Sequence, residues 1–430
     1  MSKTESSPLH DAYTEALLDL GQKTACVAQE DIYNEFGVLL VKKGDPIRDS
    51  TADRLREHRL EKPIDDVVGL QQRLSSRNLF AVCTRLFEQQ TDLGFICAEE
   101  DTALRIRHWC MHRELNSAVA QKLTVMMRTR PPVFERTLAG AVLAGLIARE
   151  AGLSPERQAV VFDAALIRDL GTLHQPLEAQ PQDPRLHEQA IEHLALGARI
   201  ADQCRSYDDS IREIVEQHHE RPDGLGVPKG MTSCRPEAAV IEMADRTWAH
   251  MRAWQAEGAL PLTMCIPWLR AQMRGPGSEL VQALLRILLR EPLPLPVPEM
   301  SSGDIQARVM ERSLYVSQVF SLLPVLLDAL SGVDLAVLPA IQMLTGYVAE
   351  SGFGNLESLE MIALEGDAGM SPEELREVDM AQCVFLDRAR RLCARLSQAA
   401  DLPENAGKVV QELAMVLEPV DTRTFWETNG

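Results

Sequence analysis

The chain predicts a mostly α-helical protein with one small α+β module at its start, and three observations carry that prediction. Aromatic residues make up only 5% of its 430 residues, while Leu, Ala, Glu and Arg are abundant, a composition that favours helix over strand. Strand-like alternation with bracketing glycines is confined to the stretch from Thr24 to about Leu70. Beyond it, apolar residues recur at helical spacing behind recognisable helix-start signals.

The first of these regions contains Asp31-Ile-Tyr-Asn-Glu-Phe-Gly37, followed by Val38-Leu-Leu-Val-Lys-Lys-Gly44. An apolar run closed by glycine at both ends suits two short strands joined by a turn. Ser50 to Leu60 then reads as a helix. We take residues 1–72 as a small α+β input or docking module with no chemistry visible in it.

From about Ser75 to Arg290 the pattern is helical. Leu138, Val142, Leu146 and Arg149 fall at helical spacing, and Ser154-Pro155-Glu156 begins a new helix with a side-chain cap and a proline in its first turn. Val160–Ile167 is apolar on most sides, so that helix is expected to be buried. Alternating prolines at Pro292, Pro294, Pro296 and Pro298 cannot continue a helix and mark an extended linker over 292–300. Residues 73–291 are thus expected to form one helical domain, with its core at 131–250. Residues 301–430 form another, opened in part by a capping-box helix start at Ser371-Pro-Glu-Glu374. The second has no catalytic motif and reads as an interaction or dimerisation domain.

Charge narrows the functional classes. The formal net charge is −19, which argues against a nucleic-acid-binding face, because such a face must replace counterions with basic side chains. A small anionic ligand at a locally positive or metal-lined site stays compatible with it. Nine cysteines without a Cys-x-x-Cys pair fit a reducing compartment. The first twenty residues lack a signal-peptide core, and the uncharged stretch Leu335–Ala349 is too short to span a bilayer. The sequence therefore predicts a cytoplasmic protein without a membrane span.

Five residues between Arg168 and Asp245 have the chemistry of a metal site: Asp169, His193, His218, His219 and Asp245. Carboxylates and imidazoles on successive helices are the donor set that holds one or two divalent ions, and paired ions can clamp a phosphodiester. Singly, each of them is more ordinarily a cap or a hydrogen-bond partner; the joint pattern is what counts.

That pattern resembles the HD-GYP family. His218-His-Glu-Arg-Pro-Asp-Gly-Leu-Gly-Val-Pro228 is similar to its His-His-Glu and Asp-Gly-x-Gly-Tyr-Pro segment. Ala164-Ala-Leu-Ile-Arg-Asp-Leu-Gly171 resembles its Ala-Ala-Leu-Leu-His-Asp-Ile-Gly-Lys. His193 with Gly197, and Ala244 with Asp245, match later motif positions. The likeness runs from about Pro131 to Trp248, more weakly to Leu289. It implies a helical core holding two or three ions, often iron or manganese, and hydrolysis of cyclic di-GMP. On this likeness Asp169 is the bridging carboxylate, His193, His218 and His219 are ligands, and Asp245 is the far carboxylate.

The departures fall on the chemistry. Arg168 stands where the family has the histidine of its His-Asp doublet, and the first-helix ligand histidine falls at Arg136. A guanidinium has no lone pair to give a metal and stays protonated. Thr172 replaces the lysine that follows the doublet, and Val227 replaces the tyrosine of Gly-Tyr-Pro. Arg221 and Lys229 are the basic residues left near the signature loop for a ligand's phosphates. The expectation is a degenerate member of the family holding at most one Fe, Mn or Zn ion, in which Arg136 and Arg168 pair with Asp169 and Asp245. It would bind cyclic di-GMP or a related nucleotide, or a protein partner or second copy, with little or no hydrolysis. An active metal-dependent phosphodiesterase, with Asp169 catalytic, and a non-catalytic helical scaffold are the alternatives.

Overall fold

The computed structural model describes residues 11–420 apart from 24, 90–99, 178–190, 205, 257–260, 274, 291–301, 334, 336, 352–370 and 400–401. The proline-rich stretch 292–300 lies outside the described residues.

The chain is mostly helical, with its few strands at the start, as the composition predicts. Helix α1 (Ala12–Lys23) precedes strand β1 (Cys26–Ala28) and the pair β2 (Ile32–Tyr33) and β3 (Leu39–Val41). Strands β2 and β3 are antiparallel, Ile32 facing Val41. The turn between them is held by Asn34, whose Oδ1 accepts the amides of Phe36 and Val38. Helices α2 (Asp49–Arg56) and α3 (Ile64–Val67) lead to β4 (Val68–Leu70), which pairs antiparallel with β1, Cys26 facing Leu70.

Helices α4 (Ser76–Gln89), α5 (Glu100–Met111), α6 (Ser117–Thr129), α7 (Pro131–Glu150) and α8 (Pro155–Ile167) follow. The Ser154 side chain accepts the Arg157 amide at the start of α8. Every residue from Gln158 to Ile167 is buried. A 3-10 turn (Leu170–His174) then leads on to α9 (Glu192–Gln203) and α10 (Ser210–Gln217). The later helices are α11 (Pro236–Ala256), α12 (Pro261–Arg270), α13 (Ser278–Leu288), α14 (Ser302–Ala329), α15 (Leu338–Ser351), α16 (Pro372–Ser397) and α17 (Glu404–Leu417). Helix α16 starts with a full capping box between Ser371 and Glu374.

The chain divides into two compact units. One comprises Met1–Leu146, Ser154–Gln182 and Gln189–His218; the other comprises Ile147–Leu153, Asp183–Glu188 and His219–Gly430. In the first unit the 3-10 turn packs against α9, and α10 packs on both α8 and α9. In the second, α14 packs along α16 and α17. The buried pair Arg312 and Asp379 joins α14 to α16. Helix α7 is long and apolar enough to span a bilayer by length and composition, a feature the sequence reading did not single out. Its apolar window is 72% buried within the fold, as a core helix would be. The eight described cysteines are thiols outside any disulfide.

Candidate metal centre

Helix α8 delivers Arg168 and Asp169 into the interior, where neither has any solvent exposure. Asp169 leaves the helix at φ −93° and ψ 0° and caps the 3-10 turn. Its Oδ2 lies 3.2 Å from Arg168 Nε and 3.4 Å from the Thr137 hydroxyl of α7. The rest of the guanidinium is satisfied by backbone. Nη1 donates to the Ala165 carbonyl at 2.8 Å and Nη2 to the Arg136 carbonyl at 3.3 Å. Gly140 makes room for it: a Cβ there would sit 2.6 Å from Arg168 Nη2.

The other carboxylate oxygen faces imidazoles. Asp169 Oδ1 is 3.9 Å from His193 Nε2, and His193 Nε2 is 3.4 Å from His218 Nε2. The turn can pack this tightly on α9 because Gly171 has no side chain; a Cβ would fall 2.2 Å from the His193 carbonyl oxygen. His218 Nδ1 lies 2.7 Å from the Val215 carbonyl oxygen. Only a protonated Nδ1 makes that hydrogen bond, so in the neutral ring Nε2 carries the lone pair. His219 is peptide-bonded to it, and one donor nitrogen from each of His193, His218 and His219 lies within 4.8 Å of the others.

Such a cluster fits a cation. Two imidazole nitrogens bound at about 2.0–2.1 Å around a tetrahedral ion stand roughly 3.3 Å apart, close to the 3.4 Å between His193 and His218. Without a shared proton or ion, two facing lone pairs at that distance repel. Asp169 is not in the mutually close group.

Residues 133–249 match the family model for the HD domain. Over 126 residues the chain is 29% identical to a 3'3'-cGAMP-specific phosphodiesterase of Vibrio cholerae, which covers 29% of this chain and 28% of that protein. Over 153 residues it is 28% identical to a cyclic di-GMP phosphodiesterase response regulator of Xanthomonas campestris pv. campestris, covering 34% and 40%. Residues 133–249 of this chain thus carry an HD domain. The match spans well under half of either relative. Among solved structures, an HDG"Y"P protein from Bdellovibrio bacteriovorus aligns with 61% of this chain and 95% of its own, at 18% identity and a TM-score of 0.33.

Within the HD domain and its flanks the sequence-predicted residues separate into groups. Asp169, His193 and His218 come together in the first unit, with His219 next in the chain. Asp245 is buried on α11 in the second unit. Arg168 pairs with Asp169, and its Nη2 donates to the backbone carbonyl of Arg136. Thr172 turns inward and donates to the Asp169 carbonyl at 2.6 Å. Val227 is part-buried, and its amide donates to the His219 carbonyl at 3.0 Å.

The basic pair near the signature loop splits. Lys229 is exposed. Arg221 is buried, with Asp223 at 3.0 Å and Glu242 at 3.7 Å. Those carboxylates outweigh burial and hold its guanidinium above its usual range. Sequence reasoning missed Glu220, which is 1% exposed and accepts the amides of Lys229 and Met231 at 2.7 and 2.8 Å. Its place beside the His-His doublet was visible, but what it binds depends on the loop folding back.

Proposed function

We propose that this chain is a degenerate HD-GYP-type signalling protein that binds a cyclic dinucleotide, or a protein partner, with little or no hydrolysis. The relatives named above act on cyclic di-GMP and on 3'3'-cGAMP by their names, which supports a cyclic dinucleotide as the ligand class. The observation that carries the loss of hydrolysis is Arg168, whose guanidinium occupies one edge of the Asp169 carboxylate. A bridging carboxylate needs both oxygens for two cations; here one oxygen faces a side chain that cannot ligate.

The three imidazoles would then hold a single ion of the Fe, Mn or Zn class, with Asp169 Oδ1 beside them. When bound, that ion would polarise an oxygen ligand. Asp245 remains a second-unit carboxylate with no role assigned by the geometry. We place the protein in the cytoplasm, where free thiols persist. The active-phosphodiesterase reading is favoured by one observation, the intact imidazole cluster.

One experiment separates the two readings. Purified protein is loaded with Mn²⁺ or Fe²⁺ and incubated with cyclic di-GMP and, separately, with 3'3'-cGAMP. We expect binding by calorimetry with no linear dinucleotide released. Linear product that grows with enzyme concentration would overturn the degenerate reading. A protein that neither binds these nucleotides nor takes up metal would leave the scaffold alternative.

A further inference from the structure

The loop that follows the His-His doublet is held from two sides within the second unit. From inside, Glu220 accepts the Lys229 and Met231 amides, and Asp223 accepts the Leu225 amide at 3.0 Å. From outside it is held by α16, a helix beyond the proline-rich stretch. Arg395 Nη1 donates to the Pro228 carbonyl at 2.6 Å, and Nη2 donates to the Lys229 carbonyl. Arg388 Nε lies 4.0 Å from Asp223 Oδ2. Residues 388 and 395 are two helical turns apart and so share one face of α16.

The loop is shaped to admit them. Gly230 has φ +66°, and a Cβ on it would fall 2.3 Å from Arg395 Nη2. Arg388 is 6% exposed and lines a small, partly open cleft with Arg221, Asp223, Glu242, Arg246 and Gln272. Arg246 Nε is 2.7 Å from Glu242 Oε1, so the cations and carboxylates of this space alternate. Burial in these surroundings pushes the Arg388 guanidinium down to about 10. Ion pairs taken out of water are strong only while their geometry is kept. Their loss would therefore be felt in the loop.

We propose that Arg388 and Arg395 are positioning residues for the loop His219–Met231, so that the C-terminal helical segment sets the conformation of the chain leaving the His-His doublet. A partner or ligand that draws α16 away from the loop would loosen it. The consequence for metal binding rests on the single-ion reading above, because His219 is both the start of this loop and one of the three imidazoles. The consequence for the loop itself does not.

The test is local hydrogen exchange on the full chain, alongside titration with Zn²⁺ alone. In Arg395→Ala we expect the amides of Val227, Lys229 and Met231 to exchange at least about tenfold faster, with the melting temperature and the rest of the chain little changed. Zn²⁺ affinity should drop about tenfold, the usual scale for a residue that orients a ligand. Arg395→Lys, which keeps one donor, should fall between wild type and Ala. Arg391→Ala removes an arginine of the same helix that pairs with Asp387 and should leave the loop amides unchanged. Unchanged loop exchange in Arg395→Ala would overturn the proposal, as would faster exchange spread evenly over the chain or an equal effect from Arg391→Ala. If wild type takes up no Zn²⁺, the single-ion reading fails separately and exchange alone decides the clamp.

Discussion

Arg168 and Asp169 are neighbours in the chain, both without solvent exposure, and their side chains turn towards each other to a 3.2 Å ion pair. Adjacent residues on a regular helix point about 100° apart; this pair meets where α8 gives way to the 3-10 turn, Arg168 at the end of one and Asp169 at the start of the other. A buried carboxylate in this HD domain thus has a covalently tethered counter-charge.

Removing that counter-charge should be costly. Arg168→Ala removes the cation paired with the buried Asp169 carboxylate, and we expect a loss of about 3–5 kcal/mol in urea unfolding. Adding Asp169→Ala should recover much of it, because the two residues form one coupled unit. A single-mutant loss below about 1 kcal/mol would mean that the pair is not a stabilising contact.

Restoring ligands should restore stoichiometry before activity. Arg136→His with Arg168→His supplies two lone-pair donors where none exist, and metal analysis should rise from about one ion per chain towards two. Hydrolysis of cyclic di-GMP should follow only if Thr172 and Val227 do not also limit the substrate side. No added metal in the double variant would show that the two positions do not face a shared ion.

The imidazole cluster makes a prediction about stability as well as chemistry. Excess Zn²⁺ at about 100 times its dissociation constant should stabilise wild type by about 2.7 kcal/mol, and a chelator should reverse the shift. His193→Ala and His218→Ala should each abolish the metal-dependent shift in melting temperature. Equal shifts in wild type and both variants would place the ion elsewhere.

A half-buried histidine outside the imidazole cluster predicts a pH dependence. His112 Nε2 lies 3.2 Å and Arg113 Nη2 3.1 Å from Asp163 Oδ2, tying the end of α5 to α8. Burial would lower the His112 imidazole, but the Asp163 hydrogen bond and charge outweigh it and raise it above 6.5. Burial raises Asp163 above 3.8, more than His112 and Arg113 lower it. Both groups therefore hold their protons more tightly folded than unfolded, and stability falls as pH rises through each raised value. The urea midpoint should decline from about pH 6.5 upward, and His112→Gln should flatten that upper limb. A wild-type midpoint that climbs through this range would contradict the assignment.

Close packing around the guanidinium offers a structural check. Gly140→Ala would set a methyl group 2.6 Å from Arg168 Nη2, and overpacking of this kind costs about 1–3 kcal/mol. In the Arg168→Ala background the same change should cost little. A similar penalty in both backgrounds would show that the glycine serves α7 rather than the arginine.

Much of this was legible in the sequence, for local reasons. The caps at Ser154 and Ser371, and the glycine-bounded hairpin around Phe36, rest on residues within a few positions of each other. So does the His218-His219 doublet, whose motif could be matched along the chain. The Arg168–Asp169 pair followed from charge alone, since a buried carboxylate needs a cation. What was hidden depends on distant segments meeting. Cys26 pairs with Leu70 in a strand ladder, and no local alternation announces it. The Arg136 carbonyl accepts from Arg168, a backbone contact that no side-chain pattern encodes. The grip of Arg395 on Lys229 joins residues far apart in the chain, and nothing near either residue encodes it.

The notch at Gly140 also bears on how such a domain changes over time. A guanidinium seated between two backbone carbonyls and a missing side chain is retained by shape as much as by charge. A shorter ring at position 168 would leave a hollow beside α7 before any second cation arrived to fill the gap. On the degenerate reading proposed above, a return to paired-ion chemistry would pass through a looser, less soundly filled interior. The replacement would then work as a ratchet: easy to enter, and unfavourable to leave by single steps.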